Sequence, residues 1–476
     1  MLWKAARIAV VVGACGVLTS AVALQTLPAG VQHRTGDLVP ASSDPQRADG
    51  GPGASATPHQ SGTPGAVSPG PTAAGATSSL ASSGPPSPMP SATQAPPPMP
   101  LPITSVTAYG AVGDGRTDST NAIAKALSVA EARGGTLYFP PGHYRVGGSG
   151  LGSGIAVRNG RPLTIAGAGS GLVTITNTNP TGGLLSVRVD HTIVEGLTLD
   201  AQSANTRQAL GVTANDVTVQ FCRILGGRQF FAIYFAGPAG ATTTAPVYNS
   251  GNRLLNDYVD DLVDNDGISW SFQEYSVIEN LVHTGSRLAL YVDRYVTVQN
   301  EIYRPGPQVG GTAGFWISAP SDHITINNFT SYGMGGIISD NGVDVSTNIT
   351  ITNERLMVPG NTLRVDAARG LTIRGCNFGT DGTVLFTGSM ATTSVVIEDC
   401  GALPMIRFQG SAAVSATFLA DSYPLVASAV EHRQTFYNFN SGHPVFVVNG
   451  GVWGNRAGGF FGGAAATYTV TNLVGY

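Results

Sequence analysis

Charge is scarce in this 476-residue chain: Asp, Glu, Lys and Arg make up 11% of it, and the net charge is −4. No basic stripe is available to neutralise a phosphate backbone, which excludes nucleic acid as a partner. Cysteine is scarcer still, with four residues, so no disulfide framework can replace a hydrophobic core. The longest apolar run, Ile8 to Thr19, is too short and too interrupted for stable membrane insertion. P-loop, zinc and dinucleotide patterns are missing, and Gly167 to Gly171 reads as a turn. Glycine, by contrast, is abundant at 63 residues. Much glycine with little charge marks either low-complexity sequence or a turn-rich β protein. The chain holds a stretch of each.

Residues 1–23 read as a signal peptide. Lys4 and Arg7 precede the apolar run, and Ala21-Val22-Ala23 offers small residues for cleavage. A secreted, extracellular protein is expected, with cell-wall association as a variant of that reading. Residues 24–101 are rich in Pro, Ser, Ala, Thr and Gly, as in SGPPSPMPSATQAPPPMP. Such sequence buries too little apolar surface to offset its ordering entropy, so a disordered linker is expected. Residues 102–476 form the folded domain.

That domain carries an internal repeat. Val219, Ile278, Val298, Ile326, Ile351, Ile373 and Ile397 form one apolar column, with steps of about 20 to 28 residues after Ile278. A second set of short apolar strands precedes the first, among them GISW from Gly267, LALY from Leu288 and GFWIS from Gly314. Two residues past the column stand Asn280, Asn300, Asn328, Asn353 and Asp399. Stacked about 4.8 Å apart, the asparagines would form a buried amide ladder. In Thr117 to Arg133, Asp118 or Ser119 can cap a helix whose Ile123, Leu127 and Ala130 share a face, and Gly134-Gly135 stops it. The expected fold is all-β: a right-handed, single-stranded parallel β-helix with an N-terminal capping helix. The sequence after about Asp421 reads as less regular and as closing the other end. Cys222, Cys376 and Cys400 share a column beside the ladder, and the last two are either a disulfide or a thiol pair. A monomer is expected.

YGAVGDGRTDSTNAIAKAL, followed by GGTLYFPPGHYRV, resembles the N-terminal signature of the pectate-lyase-like superfamily of rhamnogalacturonases, polygalacturonases and epimerases. The resemblance implies a parallel β-helix acting on polysaccharides along one sheet. It is specific for fold, and function has to be argued from a site.

The densest chemistry is Asp260-Asp261-Leu262-Val263-Asp264-Asn265-Asp266-Gly267. On an extended segment Asp264 and Asp266 would lie roughly 6.5 Å apart, at the short end of the acid–base spacing of inverting glycosidases. Clustered carboxylates also suit Ca²⁺, and a solvated acidic turn is the third reading. Asn265-Asp266-Gly267 resembles the segment that opens a polygalacturonase strand, which implies a general-acid role for Asp266. One coil on, where that group carries two aspartates, stand Ser286 and Arg287. The expected assignments are Asp266 as acid, Asp264 or Asp261 as base, and Arg287, stacked on Gly267, as substrate clamp or elimination base. His283, Tyr291, Trp316 and Arg364 would line the substrate, with Trp316 as a sugar platform. Hydrolysis of a glycosidic bond is expected first and β-elimination second, on a polysaccharide that includes uronates. A non-catalytic glycan-binding or adhesive β-helix is the reading from another class.

Overall fold

The computed structural model describes residues 102–147, 154–179, 182–202, 208–227, 231–262, 266–306, 313–427, 430–439 and 442–476. Asp264 and the whole of residues 1–101 lie outside them. The described residues of 102–476 wind as a right-handed parallel β-helix of three long sheets, with one further two-stranded pairing. Sheet A runs from Ile103–Ser105 to Thr467–Thr471, sheet B from Asp114–Asp118 to Arg355–Leu356, and sheet C from Ile155–Val157 to Phe461–Gly463. Every registered pair is parallel between successive coils, for example Ile278 with Val298 and Val298 with Ile326. Alternate residues point into the lumen, which is why each short strand reads as two or three aliphatic side chains spaced by polar ones.

The apolar column is the inward row of sheet A. Its register runs Val219–Leu254–Ile278–Val298–Ile326–Ile351–Ile373–Ile397. The column continues through Phe418 and Val448 to Val470, so the end of the chain keeps the coil repeat rather than losing it. Irregular spacing hid these coils: 30 residues separate Phe418 from Val448. At the other end, helix Thr120–Arg133 buries Ile123, Ala126, Leu127 and Ala130 against the first coils, hiding apolar surface that an open β-helix would expose. The Asp118 carboxylate accepts the Thr120 N–H, while the Ser119 hydroxyl turns away to bond Val112.

The asparagine ladder exists but is exposed, not buried. Asn280 donates to Asn256, Asn300 to Asn280 and Asn328 to Asn300, at 2.8–2.9 Å. Asn353 leaves the row and bonds Asn327 instead. The φ of Asn280, Asn300, Asn328 and Asn353 is 55–57°, so each makes the left-handed corner that ends a sheet A strand and directs its side chain to solvent. Asparagine suits that backbone, and the amide bonds add to the preference. Asn300→Ala should therefore destabilise the fold by about 1–2 kcal/mol, and Asn300→Gly by less. Chemical denaturation of the two variants tests this, and equal losses would sink the backbone argument.

Just past each left-handed corner lies a buried column beside the ladder. It holds Cys222, Asp257, Leu281, Glu301, Phe329, Glu354, Cys376, Cys400 and Asp421. Cys376 and Cys400 are joined in a disulfide, and Cys222 is free and buried. Asp257 accepts the Cys222 N–H and Asp421 the Cys400 N–H, so those carboxylates satisfy the turn of the preceding coil. Neither oxygen of Glu354 has a hydrogen-bond partner.

Candidate functional site

The acidic cluster spans the corner from sheet B to sheet C, and the corner splits it. Tyr258–Asp261 ends a sheet B strand, and Asp266–Ser271 begins a sheet C strand. Asp261 turns into the lumen and is 1% exposed. Its carboxylate accepts the Ser286 N–H and lies 2.9 Å from His283 Nε2. Gly267 and Gly285 close over it: a Cβ on either would stand 1.9 or 2.6 Å from an Asp261 carboxylate atom. The expectation of Asp261 as a catalytic base is thus corrected, because no substrate can reach a sealed carboxylate.

His283 is corrected in the same way. It lies in the inward row of sheet B, stacked between Val259 and Tyr303, and is wholly buried. Asp261 faces its Nε2, and Glu301 lies 3.7 Å from its Nδ1. Burial alone would lower its pKa, but the hydrogen bonds and charges of the two carboxylates outweigh that and raise it to about 9. Burial pushes the Glu301 carboxyl up, against the pull of His283. An imidazolium held by Asp261 therefore sits under the corner and fixes its shape. Asp293 is also buried. It accepts the N–H groups of Gln273 and Tyr291.

Asp266 and Arg287 come together on the outer side of sheet C. Arg287 pairs with Asp266 rather than with Gly267, because Gly267 is an extra residue bulged out of the register. Arg287 Nε lies 2.6 Å from Asp266 Oδ1, and both side chains are only 12–14% exposed. The guanidinium carbon sits 4.3 Å from the centre of the Trp316 ring, one coil on. Trp316 Nε1 donates to Ser339 Oγ at 2.6 Å, which fixes the indole. One face of Trp316 is thus taken by Arg287. That face is not open to the sugar expected from sequence to stack on this ring. Burial raises the pKa of Tyr291, which stands in register with Ser271 and Ser318 and packs edge-on against Phe272. Arg364 lies two coils beyond Trp316 in the same row, exposed and bound through two nitrogens to Asp366.

Among the described residues, no group of three or more His, Cys, Asp or Glu side chains is placed to hold a metal ion. The split of the cluster removes Asp261 from any Ca²⁺ set built on Asp264 and Asp266. No helix among those residues is long and apolar enough to cross a membrane. Sequence reasoning missed the buried acids Asp257, Glu301, Glu354 and Asp421. Their signal was present, as each follows directly on a corner residue.

This architecture, with a polar and aromatic row on one sheet, is that of the pectate-lyase-like β-helices. The chain belongs to the family described as rhamnogalacturonase A/epimerase, pectate lyase-like, whose model matches residues 103–400. Alginate lyase 7 of Azotobacter vinelandii is 38% identical over 107 residues, which is 21% of this chain but only 12% of that protein. Among solved structures, the A-module of a mannuronan C-5 epimerase from Azotobacter vinelandii is 18% identical with a TM-score of 0.51. The match covers 78% of this chain and 99% of the module, and it shows the shared fold. The catalytic unit of a GH87 α-1,3-glucanase from Streptomyces thermodiastaticus is 16% identical over 81% of this chain and 70% of its own, with a TM-score of 0.44.

Proposed function

We propose that this chain is a secreted polysaccharide-active enzyme that cleaves a glycosidic bond in a uronate-containing polymer laid along the outer side of sheet C. The observation that carries this reading is the Asp266–Arg287–Trp316 stack. A guanidinium packed over an indole and bonded to a carboxylate can exchange that partner for the carboxylate of a uronate. The local likeness to an alginate lyase supports the same substrate class.

With Asp261 sealed inside, Asp266 is the one described carboxylate of the cluster on this side. β-Elimination is the chemistry that one carboxylate and one guanidinium fit best. Arg287 would neutralise the uronate carboxylate, and Asp266, released from Arg287, would take the proton on the carbon beside it. The electron pair of that C–H bond forms the ring double bond as the bond to the glycosidic oxygen breaks, and the oxygen leaves with the proton that Asp266 took, passed on directly or through water. Hydrolysis needs a second carboxylate in reach, and Asp264, two residues from Asp266, is its candidate.

The test incubates the full chain with alginate, polygalacturonate and α-1,3-glucan, with Ca²⁺ or with EDTA, and follows reducing ends and the ultraviolet absorbance of an unsaturated uronate. Both signals rising together mark the lyase. Reducing ends alone mark the hydrolase. Silence on all substrates, with binding retained, moves the assignment to a glycan-binding protein.

A further inference from the structure

The corner that opens each sheet A strand is also left-handed. At four rungs the sequence meets it with residues suited to that backbone, Asp216, Gly251, Asn348 and Gly370, and at two others with His191 and Ser394. Three consecutive rungs depart from this. Tyr275, Tyr295 and His323 have φ of 49–53°, a conformation that bulky side chains rarely adopt. All three are solvent-exposed, Tyr275 at 60% and Tyr295 at 41%. Their rings stack along the β-helix axis, Tyr275 on Tyr295 at 4.9 Å and 6°, and Tyr295 on His323 at 4.7 Å. Exposed aromatic rings in a strained backbone point to function before packing.

On the far side of Tyr275 the column holds Gly251, which has no side chain to lay against the ring. The Asp216 carboxylate reaches across Gly251, within 2.1 Å of where a Cβ would stand. Beside the ring, Arg294 pairs with Glu274 at 2.5 Å and lies over Tyr248 at 4.2 Å. A flat aromatic face, a carboxylate at the next rung and a guanidinium–carboxylate pair at the edge are the groups that hold a pyranose. The ring takes the sugar's C–H face, and the polar groups take its hydroxyls.

We propose that Tyr275, Asp216, Arg294 and Glu274 form a second saccharide-binding site, separate from the Asp266–Arg287–Trp316 stack, that holds the polysaccharide without cleaving it. Its ligand class rests on the polysaccharide reading above, but its residues do not.

Native electrophoresis of the full chain through gels containing alginate, polygalacturonate or α-1,3-glucan tests the site. Tyr275→Asn keeps a residue suited to the left-handed corner. Gly251→Asn leaves Tyr275 intact and puts a side chain under its ring, displacing the movable end of Asp216. Both variants should weaken retardation roughly tenfold in apparent Kd on at least one polysaccharide, with melting temperature and turnover of a short oligosaccharide unchanged. Arg287→Ala should lose turnover yet remain retarded. Wild-type mobility in both site variants, or no retardation of the wild type on any gel, overturns the proposal. If nothing is cleaved but retardation depends on Tyr275, the enzyme reading fails and this site stands.

Discussion

Arg287→Ala is expected to lower turnover of a uronate-containing polysaccharide by about a hundred- to a thousandfold, the usual loss when one charge-stabilising group is removed from a reacting centre. The residue is held from three sides: its strand pairs with Asp266, its Nε bonds that carboxylate, and its guanidinium carbon sits over the Trp316 ring. Lysine cannot restore this, since an ammonium has neither the planar fork nor the stacking face, so Arg287→Lys should recover little. Asp266→Asn should be as damaging to turnover, because the amide cannot accept a proton from the substrate. Both groups are largely buried, so leaving one of them unpaired should cost some stability in either variant, but activity should fall far more. Initial rates and thermal unfolding of the three proteins decide the matter. Full activity in Arg287→Ala would remove this stack from the chemistry, and parallel loss of activity and stability would make it a structural pair.

The second large effect is on stability against pH. Burial raises the Glu354 carboxyl from its ordinary 4.5 to about 8, and it has no hydrogen bond to offset the loss of water. Burial likewise raises Asp257 and Asp421 to about 7, against the pull of the N–H groups they accept. For each, the unfolded chain gives up its proton at ordinary carboxyl pH while the folded chain keeps it. Stability should therefore be fullest in acid and fall as pH rises towards 7–8. His283 adds to the same trend, since its raised pKa makes the folded state the better proton holder until about pH 9. Glu354 alone accounts for a loss on the order of 5 kcal/mol between those limits. Glu354→Gln removes that titration, so urea unfolding at about pH 5 and about pH 8 should show a flatter slope than the wild type. An unchanged slope would mean that Glu354 is ionised in the folded chain.

Much of this fold was legible because its signal is one-dimensional. The column from Val219 to Ile397, the sheet C strands and the capping helix all follow from side-chain periodicity, which a stacked coil repeats many times. The Leu254 coil escaped because a long connection puts 59 residues between Val219 and Ile278. Site residues were harder to place for a geometric reason. Alternation says which way a side chain points only within one strand, and the corner between Asp261 and Asp266 resets it. Asp261 therefore went inside and Asp266 outside, although both are aspartates of one run. His283 could not be separated from a surface histidine by type, because the two carboxylates that keep it buried come from the coils on either side. The ladder was read correctly as a row and wrongly as buried, since stacking fixes neighbours but not depth.

The bulge at Gly267 has a consequence for how such a protein changes over time. The register absorbs a single supernumerary residue without losing the pairing of Asp266 with Arg287 across the coil boundary. Deleting it would leave Asp266 directly before Ile268, still opposite Arg287 on the outward row, while the neighbouring coils, bonded through their own backbones, keep their positions. One-residue insertions and deletions at corners can thus be absorbed locally: the corner lengthens or shortens while the chemistry shown to a polymer, and the scaffold that shows it, stay in place.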